Sequence, residues 1–134
     1  MPTSLMADNP LAKYRWKNRL IVVHASDNAA SKSGLTRLEK QITHEKAELT
    51  DRDLRIFHVG KIPKRSPGYA TKLSETERST LRTRLGFSGD KLQLVLIGKD
   101  GGVKRRQSGD QISLESLFAL IDTMPMRRQE MRKR

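Results

Sequence analysis

Apolar residues along the chain fall into two kinds of run. Leu20-Ile21-Val22-Val23-His24-Ala25 and Leu92-Gln93-Leu94-Val95-Leu96-Ile97 are nearly continuous and β-branched. Strands buried on both faces read this way. Leu54-Arg55-Ile56-Phe57-His58-Val59 is a third run, and its two polar positions place it nearer a sheet edge. Val103 to Arg106 pairs back on the strand before it, because Asp100-Gly101 is a two-residue turn signal of the type I′ kind. Three consecutive cations there, Lys104, Arg105 and Arg106, suit an edge strand.

Helical spacing fills the gaps. Leu35, Leu38, Ile42 and Leu49 line one face of a helix from about Leu35 to Leu49, after a small-residue loop from Ser26 to Gly34. Ser74 and Glu77 form a capping box that opens a second helix ending at Leu85, with Gly86 as its left-handed cap. Ser113 caps a third, in which Leu114, Leu117, Phe118 and Ile121 share a face. Pro125 ends or kinks it.

The order β-α-β-α-β-β-α predicts an α/β fold. A right-handed crossover makes the first two strands parallel. A mixed four-stranded sheet in the order 2-1-3-4, with helices on both faces, buries both continuous strands. That layout is thioredoxin-like. Residues 1–12 read as a flexible N-terminal arm, 13–125 as the domain, and 126–134 as a basic, solvated C-terminal tail.

Charge changes the picture more than size does. The 134 residues carry 27 Lys+Arg against 15 Asp+Glu, a net charge of +12. Such a field attracts polyanions, and the expected partners are a sulfated glycan, a nucleic acid or an acidic protein. Aromatic residues are 4% of the chain, too few for a base-stacking platform. The candidate anion-binding residues form clusters. Lys32, Lys61, Lys64 and Arg65 lie in the loops after the first two strands, where open α/β sheets place ligands. Lys99, Lys104, Arg105 and Arg106 lie on the hairpin, and Arg127 and Arg128 lie in the tail, where Glu130 stands alone against five cations.

Catalytic chemistry is sparse. The chain has no cysteine, which rules out dithiol exchange and cysteine peroxidase chemistry in it. The place where a thioredoxin-like protein holds its reactive thiol is Ser26-Asp27-Asn28-Ala29-Ala30-Ser31. His24, Asp27 and a serine of this loop could mimic a hydrolytic set, but a strand histidine and capping serines explain the same residues. His24, His44 and His58 show no metal spacing, and no cofactor is implied. Trp16 reads as closing an edge of the core. No run reaches the ~18 apolar residues of a membrane helix. The first residues lack the basic and apolar regions of a signal peptide, which favours a cytoplasmic protein, or a periplasmic or secreted one if a leader has been removed.

Three stretches carry a resemblance: Tyr14-Arg15-Trp16-Lys17-Asn18-Arg19; Leu96-Ile97-Gly98-Lys99-Asp100-Gly101-Gly102-Val103-Lys104; and Asp122-Thr123-Met124-Pro125-Met126-Arg127-Arg128-Gln129-Glu130-Met131. They resemble the domain-of-unknown-function family called P-DUDES, found in short bacterial proteins, in vertebrate equarin and in sushi-repeat-containing protein X-linked. The resemblance implies a peroxiredoxin-like or thioredoxin-like fold of unestablished activity. It also implies, for the vertebrate members, a role in the extracellular matrix with glycosaminoglycan binding.

Overall fold

The structure is a computed structural model, and it describes residues 9–60 and 70–133. Its sheet is built from β1 (Arg19–His24), β2 (Leu54–His58), β3 (Ala70–Thr71), β4 (Gln93–Ile97) and β5 (Val103–Ser108), in the order β3-β2-β1-β4-β5. β1 and β2 are parallel, while β4 runs antiparallel to β1 and β5 antiparallel to β4. The expected order of the four longer strands is therefore the observed one. The two-residue β3 adds a short edge outside β2.

The helices are α1 (Ala29–His44), α2 (Lys46–Asp51), α3 (Glu75–Arg84), α4 (Leu114–Ile121) and α5 (Pro125–Arg132). One face of the sheet, with Ile21, Val23, Ile56, Leu94 and Leu96, packs on α1, α2 and α4 through Leu35, Leu38, Ile42, Leu49, Leu117 and Ile121. The other, with Leu20, Val22, Phe57, Val95 and Ile97, packs on Leu81 of α3, on Leu85 just after it and on Leu11. Alternation along each strand divides these two cores, as the period of two requires.

Local chemistry explains several boundaries and corrects others. The capping box at Ser74 and Glu77 is present, and Gly86 has φ +69. Ser113 accepts a hydrogen bond from the Ser116 N–H at the start of α4. The helix expected from Leu35 begins earlier, at Ala29, because the Asn28 side chain accepts from the Ser31 N–H and draws the small residues into the first turns. It also breaks at Glu45, so Leu49 belongs to α2. The hairpin is not a two-residue type I′ turn. Gly98 to Gly102 separate the strands, and of the two central residues expected only Gly101 has positive φ, at +87. The Asp100 carboxylate accepts from the Gly102 N–H and takes over part of the turn.

The ends of the chain differ most from expectation. Residues 1–8 lie outside the described residues, but Leu11, assigned to the flexible arm, is buried, and Ala12–Tyr14 form a 3-10 turn. Residues 125–132, expected to be solvated, form α5. Pro125 cannot continue α4 but suits the first position of a new helix. α5 is then fastened by charge: Arg127 is 2% exposed.

Candidate functional site

β1 and β2 start at one end of the sheet, and the antiparallel pairing of Leu20 with Ile97 brings the Gly98–Gly102 turn to that same end. All three motifs meet there. Arg19, only 1% exposed, donates from Nη1 and Nη2 to the two carboxylate oxygens of Glu130, each at 3.1 Å, and from Nη1 to the Arg52 carbonyl at 3.0 Å. Lys99 donates to Glu130 at 2.8 Å and to Asp53 at 2.9 Å. One carboxylate from α5 thus ties the residue that opens β1 to the turn after β4.

A second set adjoins the first. Arg127 donates to the Asp51 carboxylate at 2.6 Å, to the Asp51 carbonyl at 2.9 Å and to Asp122 at 3.0 Å. Arg52 donates to Asp122 at 3.1 and 2.8 Å and to Glu48 at 2.8 Å, and its guanidinium lies 4.5 Å above the Phe118 ring. Burial pushes Asp122 and Glu130 toward the neutral form, and the hydrogen bonds from Arg52 and Arg127, and from Arg19 and Lys99, outweigh it. Both carboxyls are held below their ordinary values. Burial likewise works against the charges of Arg52 and Arg127, and their acidic partners raise them instead.

This network redistributes the candidate anion-binding residues. Lys99 and Arg127 were expected at the surface. Both spend their charge on the protein's own carboxylates, since an unpaired interior cation would carry a large desolvation cost. Lys32 pairs with Asp27 at 2.9 Å and Lys104 with Asp100 at 2.8 Å, both near the surface. Arg106 turns to the Leu85 carbonyl. Arg105 and Arg128 are exposed. Lys61, Lys64 and Arg65 lie outside the described residues.

Outside the network stands Trp16. Expected in the core edge, it is 61% exposed. Its backbone has φ +69, a conformation costly for a bulky side chain, and its N–H donates to the Lys99 carbonyl at 2.6 Å. Arg15 and Lys17 on either side are exposed, and neither pairs with a carboxylate among the described residues. The Arg15 guanidinium lies so close to Gly101 that a Cβ added there would come within 2.9 Å of its Nε. Tyr14, by contrast, turns inward, with its ring 5.3 Å from that of Phe57. Of the motif methionines, Met124 packs on the core and Met126 is exposed.

The opposite end of the sheet, where β1 and β2 finish, is the thiol position of the fold. His24 stacks on Phe87 with ring centroids 5.4 Å apart, and its buried Nδ1 has no hydrogen-bond partner among the described residues. Burial first, and the nearby Arg82 second, lower its pKa and favour the neutral ring. Ser31 Oγ accepts from the Ser26 N–H at 2.9 Å, and Ser26 Oγ donates to the Gly89 carbonyl at 3.2 Å. The hydroxyls hold the loop. Among the described residues, no group of three or more His, Asp or Glu side chains is placed to hold a metal ion.

The family described as Domain of unknown function (DUF4174) matches residues 10–130. Coiled-coil domain-containing protein 80 from Danio rerio is 32% identical over 144 residues, an overlap of 97% of this chain with 16% of that protein. The chain therefore spans about a sixth of that relative's length. Among solved structures, the reduced 2-Cys peroxiredoxin of Plasmodium vivax superposes with a TM-score of 0.57 at 16% identity, covering 89% of this chain and 84% of that one. The mitochondrial 2-Cys peroxiredoxin of Plasmodium falciparum follows at 0.50 and 12% identity, covering 84% and 79%. These likenesses show the thioredoxin-like fold and carry no chemistry to a chain without cysteine. With 10–130 matched and all three motifs meeting at one end of that fold, the chain belongs to the DUF4174 family.

Proposed function

We propose that the protein is a redox-inactive binding module for an acidic partner, and that it binds at the end of the sheet where the motifs meet. One observation carries this reading: Trp16 is held out to solvent in a left-handed conformation between two cations that pair with no carboxylate among the described residues. A packing role explains neither the exposure nor the strain. Strain of this kind persists where the surroundings enforce it, and it gathers at functional sites. Here the Lys99 carbonyl enforces it, and Lys99 is itself fixed by Asp53 and Glu130. Arg128 and Arg132 of α5, and Lys133 just after it, add exposed positive charge to the segment that carries Glu130.

An aromatic face beside cations fits a sulfated glycan better than duplex DNA, because the indole packs on a sugar ring while the cations meet sulfates. The resemblance of the three motifs to the P-DUDES family, with what it implies of matrix and glycosaminoglycan binding for the vertebrate members, supports the same choice. The test is titration of a fluorescent sulfated glycan and a DNA duplex of similar charge with the chain, across a salt series. Tighter glycan binding that Trp16→Ala weakens is the expected result. Equal, salt-labile binding to both, unmoved by Trp16→Ala, would reduce the interaction to a basic surface.

A further inference from the structure

The two edges of the sheet are built differently. On one side β3 has two residues, and an edge that short offers little to pair with. On the other, β5 has six residues, of which five are exposed. The Gly109 N–H donates to the Leu92 carbonyl at 2.8 Å, in register with the pairing of β4 and β5. Hydrogen-bonded pairs alternate in an antiparallel ladder, so Leu94–Gln107 and Leu96–Arg105 are bonded pairs. The backbone N–H and C=O groups of Arg106 and Ser108 then point away from β4. β5 is the last strand of the sheet on this side, and no described strand pairs with that edge.

We propose that β5 accepts an extended acidic peptide as an added strand. Main-chain hydrogen bonds to Arg106 and Ser108 supply the affinity, and side-chain charge supplies the choice of partner. Arg105 is exposed and pairs with no carboxylate among the described residues, and exposed Lys91 lies beside Gly109 at the end of the strand. A second copy of β5 is a poor occupant, since it would set Lys104, Arg105 and Arg106 against the same three cations. The cations that repel a like strand attract one carrying Glu or Asp at alternate positions. This surface is separate from the Trp16 end and stands or falls independently of it.

The test uses the full chain, isotopically labelled, and an amide-capped octapeptide of alternating Glu and Thr. Expected is slower hydrogen exchange of the Arg106 and Ser108 amides by at least about tenfold at saturation. Arg105→Glu, at an exposed position that leaves the core untouched, should weaken binding on the order of tenfold. Trp16→Ala should leave it unchanged. A control peptide N-methylated at every residue keeps its charge but offers no N–H on either edge, and it should bind at least about tenfold more weakly. Equal binding of that control, exchange at Arg106 and Ser108 unaltered by the octapeptide, or no binding at low salt would each overturn the proposal.

Discussion

Glu130 meets Arg19 with both carboxylate oxygens, each 3.1 Å from a guanidinium nitrogen, across 111 positions of sequence. The pair joins the last helix to the first strand. Among the described residues, removing the acid would leave Arg19 buried with only the Arg52 carbonyl as partner, and Lys99 with Asp53 alone. Losing one partner of a buried pair costs about 3–5 kcal/mol. Glu130→Ala should therefore lower the urea midpoint sharply, and Glu130→Gln, which keeps the shape and one acceptor, should lower it less. A loss under about 1 kcal/mol for the alanine variant would mean that something else holds α5 in place.

Acid should loosen the same end. Asp122 and Glu130 sit below their ordinary values of 3.8 and 4.5, so each adds stability above the unfolded value that is lost as pH falls through the depressed folded one. His24 lies below its ordinary 6.5 and adds a shallower loss that begins as pH drops under that value, because the unfolded chain takes the proton first. Thermal melts at pH 7, 5 and 3 should show a modest fall over the first interval and a steep one over the second. In Glu130→Gln, which lacks one of the carboxyls held below its ordinary value, the second fall should be smaller.

Two glycines test close approach against backbone conformation. A Cβ on Gly60 would stand 2.5 Å from the Ala25 carbonyl oxygen and 2.8 Å from the Ala25 nitrogen, and neither backbone atom can move aside. A Cβ on Gly101 would meet only the flexible end of Arg15, but its φ of +87 makes alanine costly by about 1 kcal/mol. Gly60→Ala should then cost more, about 1–3 kcal/mol. The reverse order in chemical denaturation would contradict the packing described between Gly60 and the end of β1.

Strands and sheet order were legible because continuous apolar runs such as Leu20–Val23 have few other ways to be buried. The interior charges were not. Local periodicity counts Lys99 and Arg127 as surface, and their burial depends on Asp53 and Asp51, at separations of 46 and 76 positions. A signal was nonetheless present: Glu130 stands alone among the cations of its segment, where a solvated basic tail has no need of it. β3 is too short to leave a pattern, and the exposure of Trp16 contradicts what a lone tryptophan beside a strand usually does.

Trp16 separates stability from binding most cleanly. Its φ of +69 puts a large L side chain where glycine is at ease, and such a residue costs about 1–2 kcal/mol. Its ring is largely in solvent, so replacing it gives up little buried area. Trp16→Gly should leave stability unchanged or raise it by about 1 kcal/mol, since relief of strain is offset by greater freedom of the unfolded chain. The same variant should bind the sulfated glycan more weakly. Paired melts and glycan titrations of Trp16→Gly and wild type would check both at once. Loss of binding with retained stability would mean that the strain serves the ligand. A large loss of stability would instead make the indole part of the fold, and the binding site would then have to be sought elsewhere.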